Sequence, residues 1–211
     1  MTFEDALFKA DLRELTIMLQ GQPKLASTPI ALPANGATAL PLHRICDGVF
    51  CGYFTEAIAI DIATLLLEHG AALNTVKEIG KDSPLTAACS LHCDHLALLY
   101  HAHGADVNHP GCHGGTALHW SAWCGRDRVV EAFVDKVNNI NQLCIDFKST
   151  PLLWAIHGYK FGGKENKHNQ LRCASILLTH GADPGIPNFE GYHPVQLVAP
   201  DDAEAMSLFG K

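Results

Sequence analysis

The chain has 211 residues, 47% of them hydrophobic, and a formal net charge of −7. That is enough apolar material for a buried core, while no apolar run approaches the ~18 residues of a membrane span. The acidic balance argues against nucleic acid as a partner, because phosphate neutralisation needs a basic face.

The first nine residues, M-T-F-E-D-A-L-F-K, lack the basic and apolar regions of a secretory signal. Residues 3–19 read as a helix pair, with Ala6, Leu7, Ala10, Leu12, Leu15, Ile17 and Leu19 on the apolar stripe and Asp11 near the turn. Residues 21–37, rich in Pro, Gly, Ala and Ser, read as a connector. Pro41-Leu42-His43 opens the next helix behind a poor cap, since Leu40 has no side-chain oxygen to accept from the first turn. Asp47–Glu56 follows as an extra segment. The second helix, Ala57–His69, is apolar on most sides and should be buried between neighbours. Ser83-Pro84 is a stronger start: the hydroxyl caps, and proline at the first helical position loses no backbone bond. A second helix there covers Leu96–His103. Thr150-Pro151 repeats the device, and a second extra segment, Gly158–His168, reads G-Y-K-F-G-G-K-E-N-K-H. The last element runs from Gly191 to Phe209, with Asp201-Asp202-Ala203-Glu204 placed to cap a short helix.

Between these elements lies Gly114–Asn141, G-G-T-A-L-H-W-S-A-W-C-G-R-D-R-V-V-E-A-F-V-D-K-V-N-N-I-N. It resembles one unit of the ankyrin repeat family. Gly114, Thr116, Leu118, His119, Ala122, Gly125, Val129, Val130 and Asn141 fall on the family pattern in order. Ala117 replaces the usual proline, and Val137 the usual closing glycine. The pattern recurs. Its anchor positions, Pro41, Pro84, Ala117, Pro151 and Pro194, are 43, 33, 34 and 43 residues apart, against a family period of about 33. His69-Gly70-Ala71, His103-Gly104-Ala105 and His180-Gly181-Ala182 form a second ruler that agrees with the first.

The resemblance implies an all-α ankyrin-repeat solenoid of stacked helix-turn-helix units with β-hairpin connectors, as a single domain over residues 1–211. The expected divisions are an N-terminal capping unit and connector (1–35), unit 1 (36–79, insertion 47–56), unit 2 (80–110), unit 3 (111–145), unit 4 (146–188, insertion 158–168) and a C-terminal capping unit (189–211). Terminal units are expected to be atypical, because one side of each faces water.

Eight cysteines and thirteen histidines invite a chemical reading. The cysteines follow helix and turn positions rather than a disulfide spacing, so reduced thiols and a cytoplasmic location are expected. The resemblance accounts for His43 and His119 as the imidazoles that bond the helix cap and the next unit. It places His69, His103 and His180 at helix C-termini, which favour donors and cations. Cys89, His92, Cys93, His95, His109, Cys112, His113 and Cys124 remain as a loose cluster between residues 89 and 124. It lacks C-x-x-C spacing, and His92 and His95 flank a turn, so it reads as ordinary turn and surface residues. His43 with Cys46 is one helical turn apart, but a groove offers no enclosed oxyanion site. No catalytic residue, cofactor or metal is therefore assigned. A metal- or thiol-dependent enzyme or redox sensor built on the 89–124 cluster stands as the alternative.

In the family, partners lie on the concave face formed by hairpin tips and first helices. Carried over by position, the partner-binding residues are Leu91, Cys112, His113, Trp123, Asp146, Phe147, His157, Phe189, Glu190 and Tyr192. Exposed aromatics commonly mark binding hot spots. Trp120 and Trp154, at equivalent positions, should sit side by side as mainly structural residues that partly line the groove. The expected function is non-catalytic binding of a protein partner, as an inhibitor or toxin-neutralising immunity protein. Residues 1–125 sum to −6 and residues 126–211 to −1, which would steer a basic protein toward the first half. A monomer is expected when unbound, with no nucleic acid or membrane partner.

Overall fold

The protein is described by a computed structural model covering residues 1–31, 36–163 and 166–210. Its contacts group these residues into two compact units, Met1–Val76 with Ser83–Asp106, and Lys77–Asp82 with Val107–Lys211.

The first unit contains three helix pairs: α1 (Phe3–Phe8) with α2 (Leu12–Gly21), α3 (Pro41–Phe50) with α4 (Glu56–Glu68), and α5 (Pro84–Ser90) with α6 (Asp94–Ala102). Thr2 and Asp5 cap α1 reciprocally, Asp11 caps α2 and Thr55 caps α4. Each side chain satisfies a backbone N–H that the first helical turn leaves without a partner. The expected connector holds a short 3-10 turn, Pro23–Ser27, and an antiparallel pair of two-residue strands, β1 (Ile30–Ala31) and β2 (Thr38–Ala39). Residues 32–35 of that connector lie outside the described residues.

As expected, Leu40 leaves α3 without a side-chain cap. Arg44 instead ties this helix to the connector. It is only 5% exposed, donates to the carbonyls of Ile30 and Ala37, and pairs with Asp47. The paired, bonded guanidinium offsets the cost of burying its charge. The N-terminus of α6, where Cys93 makes no side-chain cap bond, is covered by Glu56 from the preceding pair, which accepts from the His95 and Leu96 amides at 2.8 and 3.2 Å.

The second unit contains α7 (Ala117–Trp123), α8 (Asp127–Phe133), α9 (Pro151–Phe161), α10 (Lys167–Thr179) and α11 (Ala203–Ser207), with 3-10 turns at Cys112–Gly114 and Pro194–Leu197. Helix α9 packs on both α7 and α10. Thr150 caps α9, and Asp202 caps α11 at the position read from the sequence.

The two extra segments differ from plain connectors, because their first residues extend helices. Helix α3 continues to Phe50, with Gly48 leaving room for the Phe54 ring. Helix α9 continues through the first four residues of 158–168, and α10 already starts at Lys167. Residues 164 and 165 lie outside the described residues. The extension is possible because Gly158 has no Cβ where α9 meets the Trp123 carbonyl. Gln170 crosses from α10 to donate to that same carbonyl at 2.7 Å. Tyr159 anchors the extension by donating to Asp202. That bond raises the Tyr159 phenol to about 12. A methyl group at Gly158 would meet Trp123 backbone and the Gln170 amide. Gly158→Ala is therefore expected to cost ~1–3 kcal/mol through overpacking. An unchanged melting temperature would show that α9 does not approach α7 this closely.

Two small devices recur in both units. His69, His103 and His180 each bond Nδ1 to the carbonyl four residues back, at 2.9, 2.9 and 2.8 Å. The glycine that follows each of them has φ between +82° and +90°, a region open to glycine at no steric cost. Asparagine joins one repeat to the next. The amides of Asp106, Asn138 and Asp183 donate to the side-chain oxygens of Asn74, Asn108 and Asn141 at 2.9, 2.8 and 2.8 Å.

Candidate functional site

The second unit carries an aromatic cleft of about 730 Å³, within the usual range for binding pockets. Its frame is set by His119. This side chain is buried in α7 and accepts at Nδ1 from the Thr116 amide at 3.1 Å and from its hydroxyl at 2.9 Å. Nδ1 therefore lacks a proton, and the Nε2–H donates to the carbonyls of Gln142 and Ser149 at 3.1 and 3.2 Å. One imidazole thus joins the start of α7 to the following hairpin, as the family resemblance implies. Burial lowers its pKa to about 4, against the pull of the two carbonyls. At His43, in the first unit, the corresponding cap residue is Leu40, which has no hydroxyl, and the ring nitrogen lies 3.9 Å from Asp47.

Aromatic rings build the floor and one wall. Trp120 and Trp154 meet edge to face at 5.0 Å, the T-shaped arrangement that suits ring quadrupoles. They are adjacent, as expected. Gly115 makes this possible, since a Cβ there would lie 2.9 Å from Trp154. Trp123 stacks on His157 at 4.8 Å and 29°, and His157 meets Phe161 at 4.5 Å. His157 and Phe161 are one turn apart on α9, so they project from the same face. His157 is held below its ordinary pKa first by burial and then by Lys160, with Glu190 opposing.

The hairpin tips form the other wall; at these positions the expected β-hairpins are tight turns without strands. The His113 carbonyl accepts from the Ile145 and Asp146 amides at 3.0 and 3.2 Å, and the Phe147 carbonyl from the Phe189 amide at 3.0 Å. Gly114, at φ +69°, faces Ile145 so closely that any Cβ would collide. Asn188 accepts at its side-chain oxygen from the Glu190 and Tyr192 amides at 3.0 and 2.9 Å, fixing the last tip.

Seven of the residues picked from the sequence line this cleft: His113, Trp123, Phe147, His157, Phe189, Glu190 and Tyr192. Asp146 is not in the lining; it bonds His113 Nδ1 at 2.8 Å. Cys112 is also outside it; its amide donates to Asp82, and burial raises its thiol pKa. Leu91, at the C-terminal cap of α5, belongs to the first unit. Trp120, Ser149 and Trp154 also line it, and Leu153, Lys160, Phe161, Asn188, Gln196 and Leu197 complete the lining without having been picked. Lys160 and Phe161 were hidden in the second extra segment. The signal that could have found them is the helical spacing from His157 to Phe161.

The residues of the 89–124 cluster are dispersed. Cys89 and Cys93 are buried, His95 bonds Glu56 at 2.9 Å, and His109 bonds the Lys81 carbonyl at 2.7 Å. Among the described residues no three His, Cys, Asp or Glu side chains gather where they could hold a metal ion. No helix among the described residues is long and apolar enough to cross a membrane.

Paired helices, His-Gly-Ala closures and a Thr–His link to the next turn are features of the ankyrin-repeat fold. Residues 55–144 match the family described as Ankyrin repeats (3 copies). The all-α ankyrin class expected from the sequence is the observed one. Ankyrin repeats are protein-interaction modules, and this is the coarse function of the matched stretch. The chain is also similar to Palmitoyltransferase ZDHHC13 of Mus musculus, at 35% identity over 94 residues, which is 44% of this chain but 14% of the mouse protein. Palmitoyltransferase ZDHHC17 of Danio rerio is 33% identical over 88 residues, covering 42% of this chain and 13% of that protein. The chain thus matches only a small part of the length of these relatives.

Proposed function

We propose that the chain is a non-catalytic interaction module that binds a protein partner in the aromatic cleft of its second unit. The observation that carries this reading is the convergence of rings from α7, α9 and two hairpin tips on one concave surface. A contiguous exposed apolar surface marks an interaction site where scattered side chains do not. The excess of acidic residues supports a basic partner, and hence an inhibitor or neutralising role toward a basic protein. A cytoplasmic location and a monomeric unbound state belong to the same reading. The transferase activity named for the relatives is not carried over, because the matched segment is 14% of the mouse protein. A thiol-dependent activity is disfavoured, since burial raises the pKa of both Cys46 and Cys112, the opposite of an activated nucleophile.

Trp123→Ala tests the cleft. It is expected to weaken the complex by ~2 kcal/mol or more, as for an aromatic hot spot. The partner would be captured from the source cell, and its affinity measured with both forms of the chain alongside their melting temperatures. Unchanged affinity together with a large drop in melting temperature would make Trp123 a core residue and remove the cleft from the binding surface.

A further inference from the structure

The two walls of the cleft differ in charge chemistry. On α9 the chain's own cation is already in place: the Lys160 ammonium lies over the Phe161 ring, 5.3 Å from its centroid. The hairpin wall carries rings and a carboxylate instead. Its last tip is Phe189-Glu190-Gly191-Tyr192, with Phe147 on the tip beside it. Phe147, Phe189 and Tyr192 are 40%, 61% and 49% exposed. Among the described residues Glu190 has no ion-pair partner, and no cation is placed over these three rings. The His157 ring lies against Trp123 and Phe161, and burial and Lys160 both lower its affinity for a proton.

Ring faces attract cations, and a neighbouring carboxylate adds a directed partner. A guanidinium answers both demands, because it is planar, stacks on rings and presents a fork of donors to a carboxylate. An ammonium offers only a compact and strongly hydrated charge. An anionic side chain would meet Glu190 unfavourably. Most of the chain's acidic excess lies in residues 1–125, so the attraction at this wall comes from Glu190 itself.

We propose that the hairpin wall receives an arginine side chain from a basic partner segment. The guanidinium lies against the rings of Phe189 and Tyr192 and pairs with the Glu190 carboxylate. This rests on the reading of the cleft as a protein-binding site, and it names the chemistry that site selects.

The molecule supplies its own reporter. It has three tryptophans, and all of them, Trp120, Trp123 and Trp154, line the cleft. Tryptophan emission of the full chain would be titrated with short capped peptides that lack tryptophan. The peptides share a Gly-Ser-Tyr background and differ at one central position: arginine, its neutral isostere citrulline, lysine or glutamate. The arginine peptide is expected to give a saturable change, binding at least about tenfold tighter than the citrulline peptide, a gap typical of one charged hydrogen-bonded contact. Glu190→Gln, at an exposed position, should leave melting unchanged and abolish that preference. Tyr192→Ala should weaken arginine and lysine peptides together. Equal binding of arginine and citrulline, preference for glutamate, an arginine preference that survives Glu190→Gln, or no saturable change with any peptide would each overturn the proposal. If the arginine peptide fails while capture of the cellular partner still depends on Trp123, only the arginine assignment falls. If partner capture is also indifferent to Trp123, the binding cleft itself falls.

Discussion

Leu118→Ala is expected to lower the free energy of unfolding by ~2–5 kcal/mol, the range for deleting most of a buried leucine side chain. Leu118 is 1% exposed, and its helix, α7, packs against α8, α9 and α10. Elements on several sides are held by other contacts, so the space left behind cannot close by moving one of them. That places the substitution away from the mild end of the range. Units that pack on their neighbours share this stability, so the loss should appear as one shifted denaturant transition for the second unit. A loss below about 1 kcal/mol would show that Leu118 is not core and that the repeat register is misplaced.

The second large effect is acid sensitivity at His119. In the unfolded chain the imidazole takes up a proton near its ordinary value of 6.5, whereas in the folded protein it does so only at about 4. The folded state therefore prefers the neutral ring. The resulting stability is fully present above pH 6.5, falls as the pH drops toward 4, and is lost below that. The gap corresponds to about 3 kcal/mol, at ~1.4 kcal/mol per pH unit. The structural cause is that Nδ1 already accepts from Thr116, so a proton there would break the link and leave a charge buried. Denaturant unfolding at pH 7 and pH 4 should be compared for the natural chain and His119→Gln. The variant should be less stable at pH 7, but its additional loss on acidification should be smaller by about that amount. Equal losses in the two forms would show that other groups, carboxylates above all, set the acid sensitivity.

The parts of this molecule that were legible in its residues are those governed by local rules. Ser83, Thr150 and Asp202 cap helices because a short side-chain oxygen before an apolar run has few other uses. The His-Gly-Ala closures and the Trp120–Trp154 neighbours follow from equivalent positions in successive repeats. What was not legible depends on distant partners. Nothing in the sequence around Arg44 says that connector carbonyls will cover its guanidinium. Nothing local says that Glu56 will cap α6 from the preceding pair. The extension of α9 was hidden by glycine. Gly158 looks like a helix breaker until the neighbouring helix comes close enough to require it. Lys160 and Phe161 were lost from the site for that reason.

The asparagine bonds carry a consequence for how such a surface can change. Asn74 reaches Asp106 across 32 residues, and Asn141 reaches Asp183 across 42, yet the two bonds measure 2.9 and 2.8 Å. Ten additional residues leave the step from one repeat to the next untouched. They go in part into a longer α9, which contributes Lys160 and Phe161 to the cleft. Depth of the cleft and the asparagine bond between successive repeats are thus independent variables. Lengthening a helix pair at its turn can enlarge the grip on a ligand while the seam that aligns the repeats stays in register. New surface can then arise by insertion at that turn, provided the lengthened helix finds anchors of its own, as Tyr159 does at Asp202.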